Sequence, residues 1–139
     1  MGKKYYFDTS IWRDYFENRK DNFRPLGEWA FELIKKMVEN NDALLYSDVV
    51  ITELRAYFSE EEVSRIFAIA RSENILVKVY PSEKQESEAS RLCKMRKIPF
   101  NDVLQAILAR DNQAVLVTRD KHFLQLNDLA DSKKPEELI

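Results

Sequence analysis

The chain has 139 residues, 45% hydrophobic and 33% charged, which suits one soluble domain with its own core and excludes a disordered chain. Two glycines exclude a Gly-rich phosphate loop. One cysteine, Cys93, excludes an internal disulfide or a multi-cysteine zinc site, and one histidine, His122, excludes a His-rich metal centre. The net charge of −2 argues against a strongly basic nucleic-acid clamp and leaves carboxylates, hydroxyls and amines to carry any chemistry.

In chain order, four short β-rich runs stand out: Lys4–Phe7, Ala43–Tyr46, Ile75–Val79 and Ala114–Val117. Each is followed by a longer helical pattern. Strands alternating with helices predict a parallel sheet covered on both faces, in a single domain over residues 1–139. From Pro25 to Asn40, the residues Ala30, Leu33, Ile34 and Met37 recur at helical spacing. A helix carrying Glu53 is expected to begin near Ser47 or Asp48. Ser59 with Glu62, and Ser82 with Gln85, read as capping boxes. The first opens a helix to about Ser72; the second opens one toward Lys97 that stops before Pro99. Cys93 shares a face with Ala89 and is read as a core thiol. Asn101 is expected to cap a further helix, whose uncharged stretch Val103–Ala109 predicts deep burial. No apolar stretch approaches the ~18 residues of a membrane span. The opening MGKKYYFD turns polar too early for a signal peptide, so a cytoplasmic protein is expected.

Most of the 24 acids lie at helix starts and on wet faces, where they favour the helix dipole. Four lie inside or beside apolar segments. Asp8 follows Tyr5-Tyr6-Phe7. Glu53 sits between Val49-Val50-Ile51 and Leu54. Asp102 opens the apolar helix, and Asp120 lies just past Val115-Leu116-Val117. In an open α/β sheet, sites form at the carboxyl ends of strands, and helix N-termini point to the same edge. The four acids are therefore expected to converge. Such a cluster repels itself without a cation. A hard divalent ion, Mg²⁺ or Mn²⁺, relieves this and suits oxygen ligands, which points to metal-assisted phosphodiester hydrolysis. That chemistry does not by itself separate RNA from DNA. A receiver domain is disfavoured because Thr9, not a second acid, follows Asp8. A haloacid-dehalogenase phosphatase is disfavoured because Ser10 stands where it needs Asp.

Four segments, in order, resemble the PIN-domain ribonucleases, and most of all the small toxins of VapBC toxin–antitoxin pairs. They are Phe7-Asp8-Thr9-Ser10-Ile11-Trp12, Ser47 through Leu54, Ile98 through Ala106, and Leu116 through Phe123. The resemblance implies a three-layer α/β/α sandwich with a central parallel sheet. It implies an Mg²⁺- or Mn²⁺-dependent endoribonuclease with Asp8, Glu53, Asp102 and Asp120 as the metal site. Ser10 and Thr118 map onto its hydroxyl positions, where they would orient a carboxylate or a water. It further implies a homodimer and a small antitoxin partner. Gln105 and Leu108 depart from the family's run of small residues. His122 and Lys121 are not carried over as catalytic, and His122 is read as a loop residue. Arg13, Arg119 and Lys121 flank the acids and are the expected RNA contacts, with Arg91–Lys97 as a second basic stretch. The competing reading is a catalytically weak PIN-fold binding or regulatory module in RNA processing.

Overall fold

A computed structural model of the chain describes residues 2–139. Five parallel strands form one sheet in the order β3-β2-β1-β4-β5: β1 Lys4–Phe7, β2 Ala43–Tyr46, β3 Leu76–Lys78, β4 Val115–Val117 and β5 Ser132–Lys133. Tyr6 is in register with Leu45 on one side and Leu116 on the other. The chain winds outward from β1 to β3, then crosses back to β4. The strand order therefore reverses between β1 and β4, and an α/β sheet opens a crevice at such a point.

Six helices connect the strands: α1 Thr9–Glu17, α2 Leu26–Asn40, α3 Asp48–Arg55, α4 Glu60–Ser72, α5 Glu83–Arg96 and α6 Phe100–Asp111. Right-handed crossovers put the connections made before and after the reversal on opposite faces. α1 packs on α2 and α3, whereas α5 packs on α6. The result is the expected α/β/α sandwich around a parallel sheet. Three-ten turns cover Lys121–Leu126 and Pro135–Glu137.

The local signals act as read. Ser59 accepts from the Glu62 amide and Ser82 from the Gln85 amide, with both capping boxes closed. Val103 through Ala109 are all buried. Cys93 is half-buried against the core. With few glycines, the chain ends helices on asparagine: Asn18 and Asn41 close α1 and α2 in the left-handed region, where a short polar side chain is tolerated. Gly27 is required for space, because a Cβ there would stand 2.5 Å from the Asn18 Cα at the α1–α2 contact.

Three boundaries differ from the sequence reading. α6 starts at Phe100, so Pro99 and not Asn101 precedes the helix. Pro99 lacks the amide a helix interior needs, and its ψ of 139° is extended. β3 and β4 are shorter than their apolar runs by one or two residues. β5 is a two-residue strand with no apolar alternation to announce it.

Candidate metal centre at the carboxyl edge of the sheet

β1 ends at Phe7, so Asp8 stands at its carboxyl end. Its side chain caps α1 by accepting from the Ile11 amide at 3.2 Å. The same carboxylate accepts from the Ser10 hydroxyl at 2.7 Å and from the Thr118 hydroxyl, beyond β4, at 2.6 Å. Thr118 Oγ1 also accepts from the Asp120 amide at 3.0 Å. One hydroxyl thus ties together the ends of β1 and β4, on either side of the reversal.

Glu53 comes from the second turn of α3 and accepts from the Thr9 hydroxyl at 2.5 Å. Asp102 lies in the first turn of α6. Asp120 caps the following three-ten turn by accepting from the His122 amide. Asp8, Glu53, Asp102 and Asp120 all line one cleft of about 300 Å³, together with Ser10 and Gln105. The four acids singled out in the sequence therefore face one space, and Ser10 and Thr118 each donate to Asp8.

Burial sets the electrostatics. Asp8 is 4% exposed, and desolvation pushes its carboxyl up to about 6 against the pull of its three hydrogen bonds. Burial also raises Asp102, opposed by its hydrogen bond from the His122 ring. Asp14 offers a contrast. It is as buried as Asp8, but Arg119 and Arg19 stand 3.6 and 3.7 Å from it. It is a structural ion pair. No Arg or Lys lies within 4 Å of the four cleft acids among the described residues, so no permanently charged side chain pairs with them.

The donor set fits a hard divalent ion. Ligand atoms of Asp102, Asp120 and His122 lie within 4.8 Å of one another. Asp8 adds a desolvated carboxylate, and the buried Gln105 leaves its Oε1 without a partner beside the same cleft. Oxygen-rich sites with waters to spare are what Mg²⁺ and Mn²⁺ take.

Two residues read differently here than in the sequence. The sequence reads His122 as a loop residue, whereas in the fold its Nδ1 stands 3.0 Å from Asp102 Oδ2 and 3.6 Å from Asp120 Oδ1. The available signal was its place two residues after an acid that caps a turn. Arg119 was an expected RNA contact. Its guanidinium instead grips Glu136 through two nitrogens, at 2.9 and 2.6 Å, and its side chain is only 14% exposed. Its charge is already neutralised within the fold. Arg13 lines the cleft, and Lys121 is exposed beside it.

Comparison with known proteins places this geometry. The PIN domain family model matches residues 5–129. The chain belongs to the PIN domain family. PIN domains are generally nucleases that use divalent metals. Solved structures share the fold across nearly their whole length. VapBC2 from Rickettsia felis, bound to a DNA fragment from its promoter, gives a TM-score of 0.68 at 18% identity, covering 94% of this chain and 98% of that one. VapBC-1 from nontypeable Haemophilus influenzae gives 0.66 at 23% identity, covering 96% and 98%. FitAcB from Neisseria gonorrhoeae gives 0.59 at 15%, covering 96% and 99%. No curated protein matches. Among the described residues, no helix is long and apolar enough to cross a membrane.

Proposed function

We propose that this PIN domain is a metal-dependent endoribonuclease, the toxin of a toxin–antitoxin pair. The observation that carries the reading is the single cleft lined by Asp8, Glu53, Asp102 and Asp120 with no Arg or Lys within 4 Å of any of them among the described residues. Asp8, Asp102, Asp120 and Glu53 would hold Mg²⁺ or Mn²⁺, with His122 against two of them. The bound ion would supply charge for the phosphate and a more acidic water.

The chain's own residues do the rest. Ser10 and Thr118 hold Asp8 with both oxygens engaged, and Thr9 holds Glu53, so the carboxylates are oriented before any ion arrives. His122 Nδ1 stands 3.0 Å from Asp102, on a side chain that is 51% exposed, and so braces that carboxylate from the solvent side. RNA phosphates would find Arg13 in the cleft. Lys121, Lys133 and Lys134 line an adjoining groove that also has Asp120 in its wall.

A small antitoxin as partner is supported by the VapBC neighbours, which are complexes of that kind. A homodimer and a cytoplasmic location complete the reading. Cleavage of RNA by purified protein in Mg²⁺ or Mn²⁺, lost in EDTA, tests it. Copurification of the chain with a small protein encoded beside it tests the pairing.

A further inference from the structure

At the mouth of the carboxylate cleft stands an aromatic side chain that neither the metal centre nor the core requires. Tyr57 follows α3, and its amide donates to Leu54 O at 3.0 Å, which fixes the backbone just beyond Glu53. The residue is 61% exposed and lines the cleft with the four acids. The Arg13 guanidinium lies 3.7 Å from its ring centroid and is itself anchored to Glu17 at 3.2 Å. Phe58, next in the chain, packs edge-on against Phe16 and ties this segment to α1.

The Arg13 guanidinium covers part of the Tyr57 ring, and the rest of the ring stays open to solvent at the edge of the cleft. Nucleobases stack on such rings without regard to sequence, and a guanidinium alongside meets the phosphate of the same nucleotide. We propose that Tyr57 and Arg13 form a base-stacking subsite, in which a nucleotide flanking the cut rests its base on the Tyr57 ring and its phosphate near Arg13. The subsite rests on the nuclease reading above and deepens it. A base within a duplex is already stacked and paired, so the subsite selects single-stranded RNA.

The test uses the intact protein in Mn²⁺ and a short single-stranded RNA whose cut position the wild type defines. Tyr57→Ala should raise KM roughly 5- to 150-fold, with a much smaller change in kcat. Tyr57→Phe and Tyr57→Trp should stay within a few-fold of wild type, because each keeps a stacking face. A second RNA lacks one base beside the cut. Its KM penalty should be present in the wild type and absent in Tyr57→Ala, a coupling that a merely structural role would not produce. A KM for Tyr57→Ala within twofold of wild type would overturn the subsite while leaving the nuclease standing. So would an abasic penalty that persists in the variant. If Tyr57→Ala lost binding to the antitoxin with KM unchanged, the ring would belong to a protein interface and the subsite would fall. A wild-type protein that cuts no RNA in any metal would overturn both readings together.

Discussion

Asp8 and Thr118 lie 110 positions apart in the chain and meet through a 2.6 Å hydrogen bond, the hydroxyl donating to the carboxylate. That contact joins the ends of two neighbouring parallel strands where the sheet order reverses. It holds a desolvated carboxylate in place with hydroxyl and amide donors alone, and so leaves its charge uncompensated. A site built this way gains a cation's full benefit and bears a cost without one.

That cost is measurable. The Asp8 carboxyl is pushed up to about 6 in the fold, from 3.8 in an unperturbed carboxyl. A raised folded value means the native state prefers the protonated form. Without metal, the protein therefore loses stability as pH rises from about 4 through 6. Asp8→Asn removes the charge, so in EDTA at pH 8 it should melt several degrees above the wild type. The gain is at most about 3 kcal/mol. At pH 4 the gain should vanish. Thermal melts of both proteins at the two pH values check this, and a variant less stable at pH 8 would show that the α1 cap dominates instead.

Metal binding should carry the opposite dependence. An ion held by Asp8, as proposed, needs that carboxyl ionised, so a proton would compete with it below pH 6. Mn²⁺ affinity, measured by calorimetry, should fall by up to tenfold per pH unit below about 6 and level off above 7. A flat profile from pH 5 to 8 would place the ion away from Asp8.

His122 should matter to rate more than to fold. Its side chain is 51% exposed, so His122→Ala should leave the melting temperature within a degree or two. It removes a partner of both Asp102 and Asp120, and cleavage should fall about 10- to 100-fold. Single-turnover rates at saturating Mn²⁺ decide it. An unchanged rate would return His122 to a passive turn.

Arg119 should behave in reverse. Arg119→Ala leaves Glu136 and Asp14 without their shared partner in half-buried and buried positions. A loss of about 2–4 kcal/mol is expected, visible in denaturant melts. A loss below 1 kcal/mol would mean that these pairs are solvent-screened and that Arg119 is free for other contacts.

Much of this molecule can be read from its residues. The strands announce themselves as Tyr5-Tyr6-Phe7 or Val115-Leu116-Val117, because a strand buried on both faces must be apolar throughout. The four acids stood out because each interrupts or abuts such a segment. What escaped reading is non-local. Arg119 looks like a free basic residue until β5 brings Glu136 back beside it. Ser132–Lys133 becomes a strand only because β4 offers an edge to pair with. His122 is not legible as a site residue because its partner, Asp102, lies 20 residues earlier and α6 aims that carboxylate at it. Gln105 reads as an irregularity of packing, and in the fold it is a buried amide beside the cleft with its Oε1 unpartnered.

The most direct test of the proposed metal-dependent ribonuclease is cleavage of a mixed-sequence single-stranded RNA by purified protein in Mg²⁺, in Mn²⁺ and in EDTA, with Asp8→Asn alongside. Cutting that requires metal and falls at least 100-fold in the folded variant is the expected result. Cutting that persists in EDTA, or at a wild-type rate in Asp8→Asn, would contradict it. So would a folded, metal-loaded wild type that leaves all RNA intact.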